Sequence, residues 1–179
     1  MLCESVTSIN LGMSTLRHAN NVKQMFSNCV ALEQVIAPKL AIENATNASM
    51  MFYKCNSLRE LDMHNCTFTL CTDMSDMFSQ CQSLTRLDAT GWRLQNCTTA
   101  SSMFAAISQS SPLTGMKIRE IVGVGNWGMS ACVDFSHMFY GCHYLTDLDL
   151  SLWDVSNGEN YSHMFADTSG METLIFDDG

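Results

Sequence analysis

The chain has 179 residues, of which 46% are hydrophobic and 15% charged, a balance that excludes a disordered segment and allows a buried core. Eighteen acidic against nine basic residues give a net charge of −9, and because an acidic surface repels phosphate groups, no nucleic-acid partner is expected. A basic protein surface or a cation is the natural attractant, although solubility alone also accounts for such a charge.

The N-terminal segment has no basic leader and no long apolar run, so no export signal is predicted in it. No stretch of the chain reaches the roughly 20 apolar residues of a transmembrane helix. A transmembrane segment is therefore not expected. The first unit starts inside a repeat and the last stops in a strand, which suggests a fragment, or ends that dock on further repeats or other subunits.

A Met-Phe pair recurs along the chain at positions 25–26, 51–52, 77–78, 103–104, 138–139 and 164–165. The steps are 26 residues, except for one of 35. A fixed period between 20 and 50 residues is typical of a solenoid. We therefore predict one domain over 1–179, with a partial coil 1–24, coils starting at 25, 51, 77, 103 and 138, and a partial coil 164–179, about seven coils in all.

Alignment on the Met-Phe pairs puts most large apolar residues in columns. One column, ten residues after Met, holds Ile9, Val35, Leu61, Leu87, Leu148 and Leu174, and another, fifteen residues after Met, holds Leu40, Cys66, Trp92 and Trp153. Segments such as LRELDM alternate like a short strand with one buried face. Ser, Thr or Asp ahead of each Met-Phe pair resembles a helix N-cap. Each coil is thus predicted to be α/β, with one short parallel strand and one short helix.

The 35-residue step places an insertion within residues 105–126. Pro112 and Gly115 predict a turn there, and several glycines loosen the strand that follows. Insertions in repeat arrays form loops that often lie on a functional side, so Pro112, Lys117 and Arg119 are candidate partner-binding residues. A functionless insertion explains the same pattern.

All nine cysteines fall on repeat columns, which favours small buried thiols, although a disulfide framework between stacked neighbours is the competing interpretation. Free thiols favour a reducing compartment. The chain contains neither a CxxC nor an HExxH motif. We predict no catalytic site, no metal site and no cofactor.

The unit MFxxCxxLxxLDLSxWxVSN, best seen in MFYGCHYLTDLDLSLWDVSN from Met138, resembles the leucine-rich repeat of the BspA-like bacterial surface-protein family. The resemblance covers nearly the whole chain. It implies a leucine-rich-repeat solenoid and proteins that are displayed on cell surfaces and bind host or matrix components. The localisation stays open, because the free thiols and the missing leader favour an intracellular protein or a fragment.

Residues between the buried strand positions should face outward and align from coil to coil. The candidate partner-binding residues on this face are Glu60, Asp62, His64, Arg86, Asp88, Asp147 and Asp149. Stacked carboxylates repel one another and attract a basic surface, but the same aspartates could simply be held by local hydrogen bonds. The sequence thus predicts a non-enzymatic protein-interaction module, with a structural subunit of a large assembly as the alternative.

Overall fold

The computed structural model describes residues 3–11, 16–37, 40–106 and 115–176, which wind into a parallel β-solenoid. Its strands are β1 (Ser8–Asn10), β2 (Gln34–Ile36), β3 (Glu60–Asp62), β4 (Arg86–Asp88), β5 (Glu120–Val122), β6 (Asp147–Asp149) and β7 (Thr173–Ile175). The seven strands delimit about six turns of the solenoid. The number is lower than the roughly seven coils predicted from the sequence, because the first and last of those coils are partial.

Each strand is three residues long. Strands β2 to β6 bury their middle residue against the core, whereas Ile9 of β1 is half-buried and Leu174 of β7 is exposed. Val35, Leu61, Leu87 and Leu148 are buried, and equivalent positions pair side by side in successive coils. The first and third residues of the strands point away from the core. The alternation of apolar and polar residues in the sequence therefore reflects a single column of buried side chains, contributed by the middle residues of the strands.

The short helix predicted around each Met-Phe pair is not formed. The only helix in the described ranges is a 3-10 turn, Val124–Asn126. Around the first pair, Gln24 and Asn28 have φ of 58° and 61°, and most of the equivalent positions in later coils are left-handed too. The N–H groups of Gln24, Phe26 and Asn28 donate to carbonyls of the next coil, 2.7–3.0 Å away. Amides used in this way cannot make the i→i−4 bonds of a helix.

The polar residues that resemble helix N-caps cap turns instead. Asn47 Oδ1 accepts a hydrogen bond from the N–H of Ser49, and Asp73 Oδ1 accepts one from the N–H of Ser75, at 2.9 and 3.0 Å. These Asx-turns satisfy local amides as an N-cap would. The capping residues also form parallel bridges from coil to coil, at Asn21, Asn47, Asp73, Thr99, Asp134 and Asn160.

Aromatic rings stack along the solenoid axis, as the column alignment predicts. The ring centroids of Phe52 and Phe78 lie 5.7 Å apart, and those of Phe78 and Phe104 lie 5.3 Å apart. A second stack runs beside it, with 5.3 Å between Trp92 and Trp127. Such pairs contribute about 0.5–1.5 kcal/mol beyond the burial of their area.

The nine extra residues of the irregular unit fall in two places. Met103 precedes the start of β5 by 17 residues, whereas the regular distance from this Met to the strand is nine. Eight extra residues therefore lie before β5, where residues 107–114 fall outside the described ranges. The ninth lies after β5, because Trp127 follows Glu120 by seven residues whereas Trp92 follows Arg86 by six.

The single extra residue after β5 coincides with a break in the sheet. Strands β1–β5 form one sheet and β6–β7 another, with no ladder between β5 and β6. The extra residue is accommodated by the 3-10 turn, which begins after Gly123 at a φ of 84°. The stacks are continuous across this break, with Phe104 and Phe139 centroids 5.6 Å apart.

The extra residue also changes the hydrogen bonding of one indole, which allows a test of the fold. The Nε1 atoms of Trp92 and Trp153 donate to the carbonyls of Met63 and Val124, at 2.9 and 2.8 Å. Trp127 Nε1 is buried without a partner among the described residues. We expect Trp92→Phe and Trp153→Phe each to lower the unfolding free energy by about 1 kcal/mol more than Trp127→Phe does, because only the first two lose a hydrogen bond.

Urea unfolding of the three variants measures these differences. All three substitutions remove similar buried area, so the comparison isolates the indole N–H. A Trp127→Phe variant at least as destabilised as Trp92→Phe would contradict the assigned hydrogen bonding.

Candidate functional site

The strand face consists of the outward first and third residues of β1–β7. Its fourteen positions hold Ser8, Asn10, Gln34, Ile36, Glu60, Asp62, Arg86, Asp88, Glu120, Val122, Asp147, Asp149, Thr173 and Ile175. Six of these residues are acidic and one is basic, so the face carries much of the net negative charge of the chain. Apolar residues at Ile36, Val122 and Ile175 interrupt the acidic column.

Three aspartates of the strand face cap the turn that follows their strand. The Oδ1 atoms of Asp62, Asp88 and Asp149 accept hydrogen bonds from backbone N–H groups two residues ahead, at 3.0–3.1 Å. The side-chain and backbone hydrogen bonds from Ser151 lower the pKa of Asp149. These carboxylates thus have a local structural role, and each has a second oxygen available to another group.

Arg86 neutralises part of the strand face. Its guanidinium lies 2.9 Å from Glu120 and 3.4 Å from Asp88. Partial burial acts to raise the pKa of Asp88, but hydrogen bonds from Thr90 and the charge of Arg86 outweigh it and hold this pKa below its usual value. Asp62, stacked beside Asp88, contacts the imidazole of His64 instead. Adjacent carboxylates therefore have separate partners.

The remaining candidate residues are dispersed. Glu60 is exposed beside a hollow of about 280 Å³ that Asp62 also lines. Lys117 is exposed, and the Arg119 guanidinium lies 5.8 Å from the centre of the Tyr144 ring, within range of a cation–π contact. Pro112 lies outside the described residues.

Asp147 and Asp149 of β6 form the least neutralised part of the strand face. Asp147 accepts a hydrogen bond from the Thr146 hydroxyl at 2.7 Å. In the described ranges neither aspartate has a cationic side chain within ion-pair distance. Their charge is therefore balanced only by hydrogen bonds and solvent.

A groove of about 600 Å³ lies on the strand face where the sheet is broken. It is lined by Arg119, Glu120, Ile121, Gly123, Val124, Gly125, Asn126, Asp147, Asp149, Ser151 and Leu152. We call it the β5–β6 groove. It brings Arg119, Asp147 and Asp149 together, but it includes neither Glu60, Asp62 and His64 nor Arg86 and Asp88.

Glycines allow the turn beside the groove to pack closely on its neighbours. A Cβ atom on Gly123, which has a positive φ, would lie 2.8 Å from the Thr90 Cα atom. A Cβ atom on Gly125 would lie 3.1 Å from the Asp149 carbonyl oxygen, tighter than most real contacts. The turn is therefore held between the coils on both sides.

Sequence reasoning missed Glu120, Asn126 and Leu152 as parts of one site. The signal that could have found them is the spacing of the strands. β5 and β6 start 27 residues apart, whereas β6 and β7 start 26 apart. A one-residue excess between consecutive strands predicts a local defect in a regular ladder.

All nine cysteines have free thiols, and all but Cys3 are buried. The Sγ atoms of Cys55 and Cys81 donate to the carbonyls of Phe26 and Phe52 in the preceding coil, at 3.2 and 3.0 Å. Burial raises the pKa of Cys66 to about 12 and that of Cys71 to about 11. These two thiols therefore stay protonated near neutral pH.

In the ranges that the structure describes, no three His, Cys, Asp or Glu side chains lie close enough to hold a metal ion. No helix in those ranges has the length and apolar character to cross a membrane.

The fold and its repeated columns define a parallel β-solenoid repeat protein. Residues 3–116 and 116–177 match the model of a family described as "Mycoplasma protein of unknown function, DUF285". Since the matches cover nearly the whole chain, the protein belongs to this family. No curated protein and no solved structure matches it significantly.

The raised pKa of the buried Cys66 thiol predicts a loss of stability in alkali. Its folded pKa of about 12 exceeds the ordinary value of 9.0 for a thiol, so the folded state retains the proton more tightly. This contribution is complete below pH 9 and is lost as the pH rises towards 12. We expect Cys66→Ala to reduce the fall in unfolding free energy between pH 9 and 11 by on the order of 2 kcal/mol.

Urea unfolding of the wild type and of the Cys66→Ala variant at several pH values measures the difference. At pH 7 the thiol is protonated in both states, so that measurement gives the packing cost of the substitution. Parallel pH profiles for the two proteins would contradict the prediction.

Proposed function

We propose that the protein is a non-enzymatic interaction module whose strand face binds a protein partner with a basic surface. The observation that carries this proposal is the strand face itself, with its six acidic residues and one basic residue. Rigid, in-register strands present these groups without further ordering, and preorganisation of this kind favours binding. Exposed faces of solenoids are common binding surfaces.

The family match and the MFxxCxxLxxLDLS columns support a more specific form of the proposal. In it, the chain is a BspA-like leucine-rich-repeat protein that acts in adhesion at a cell surface. The polar groups of the strand face are consistent with binding rather than catalysis, because Asp62, Asp88 and Asp149 cap turns and Arg86 is held in ion pairs.

Site-specific photo-crosslinking tests which face binds. A photoreactive amino acid replaces Glu60 on the strand face or, as the control, Gln95, which is exposed and lies outside this face. In cells of the source organism we expect discrete protein adducts from position 60 and only background from position 95. The reason is that a bound partner covers the strand face and leaves the rest of the coil exposed.

Equal adduct patterns from the two positions, or none from position 60, would count against the proposal. Unfolding curves of both substituted proteins confirm that the fold is retained, since both positions are exposed and tolerate substitution.

A further inference from the structure

We infer that the β5–β6 groove is the site at which the strand face takes an extended peptide segment that carries lysine or arginine side chains. This inference rests on the proposed function, because it names the place and the chemistry of the partner's contact. It comes from the shape and charge of the groove, the spacing of its carboxylates and the apolar side chain at its edge.

The shape of the groove suits a chain segment. Elsewhere in β1–β5 neighbouring strands are joined by a ladder, and the hollow of about 280 Å³ beside Glu60 has less than half the volume of the groove. Between β5 and β6 the ladder is absent, and a groove of about 600 Å³ reaches from Ile121 to Asp149. This volume is within the range of about 300–1,000 Å³ that is typical of ligand sites.

The charge of the groove selects a cationic occupant. Glu120, Asp147 and Asp149 line it, and Arg119 is the only basic side chain among the lining residues. Glu120 forms an ion pair with Arg86, whereas Asp147 and Asp149 have no cationic partner in the described part of the chain. A cationic side chain placed in the groove therefore meets carboxylates that are not already paired.

The spacing of the carboxylates matches an extended backbone. Asp147 and Asp149 are the first and third residues of β6, so they point to the same side of the strand. Alternate residues of a strand lie about 6.6 Å apart, and alternate side chains of an extended peptide share that spacing. A peptide with cationic residues at every second position can therefore contact both aspartates in register.

An apolar side chain beside the acidic groups favours a peptide over a simple cation. Leu152 lines the groove and is 68% exposed, more than any other large hydrophobic side chain in the described ranges. Ile121 and Val124 contribute further apolar surface to the lining. An extended peptide presents backbone and aliphatic stems to this edge, which a metal ion does not.

Fluorescence anisotropy with a labelled Lys-Thr-Lys-Thr-Lys-Thr-Lys peptide tests the inference, with a Glu-Thr-Glu-Thr-Glu-Thr-Glu peptide as the control probe. We expect the lysine peptide alone to bind. The double variant Asp147→Asn, Asp149→Asn should weaken its binding at least about fivefold, because two attractive charges are lost. Asparagine retains an oxygen that can accept the hydrogen bonds from Thr146 and Ser151, so the turn is preserved.

The matched control is the double variant Asp154→Asn, Glu159→Gln. It removes the same charge from the same coil, and Asp154 caps Ser156 as Asp149 caps Ser151, at 3.1 and 3.0 Å. Binding by this variant should stay within about twofold of the wild type at physiological salt, because neither residue lines the groove and exposed charges are screened there. Leu152→Ala should weaken binding without changing its salt dependence.

Three results would overturn the inference: no binding of the lysine peptide, equal losses for the two double variants, or tight binding of the glutamate peptide. The photo-crosslinking result is separate from these. Adducts at position 60 together with a failed peptide assay would leave the proposed function in place and remove the groove as its site. A successful peptide assay without any adducts at position 60 would count against the proposed function, although the groove would still bind a cationic peptide.

Discussion

The structure depends on one constraint, which is that each coil must match its neighbours residue for residue. Strands that pair in a parallel ladder lie about 4.8 Å apart, and rings, thiols and turn carbonyls must then repeat at nearly that distance. The Phe52 and Phe78 centroids, 5.7 Å apart, and the amide of Phe52 donating to the carbonyl of Met77 both satisfy it. A coil has few stabilising contacts apart from these, so the stability of the array resides between coils.

The same constraint explains how far the sequence could predict the fold. Columns of Phe, Leu and Trp report which side chains stack, and they were sufficient for the period, the strands and the core. They could not report the backbone around Met-Phe, because Asp and Ser cap a turn as readily as a helix. The left-handed residues there include Met50, Lys54 and His137, which carry no glycine signal. Their conformation is fixed by hydrogen bonds to the next coil.

The candidate site was only partly accessible from the sequence, for a related reason. Alternation placed Asp147 and Asp149 on an outward face, and the structure has them there. Alternation says nothing about where a ladder stops, so the groove was not anticipated. The long insertion drew attention to residues such as Pro112, whereas the change that opens the face is the single residue after β5. A small defect in register can have larger effects than a long loop that leaves the register intact.

The interrupted ladder divides the solenoid into two blocks that share an aromatic spine. At the interruption the blocks are joined by ring stacking between Phe104 and Phe139, by turn hydrogen bonds and by the isolated bridge between Asp134 and Asn160, but not by a ladder between β5 and β6. Stacked rings slide and tilt more easily than a hydrogen-bonded ladder shears. Bending of the long axis of the solenoid would therefore concentrate at this junction. Such bending would widen or narrow the β5–β6 groove.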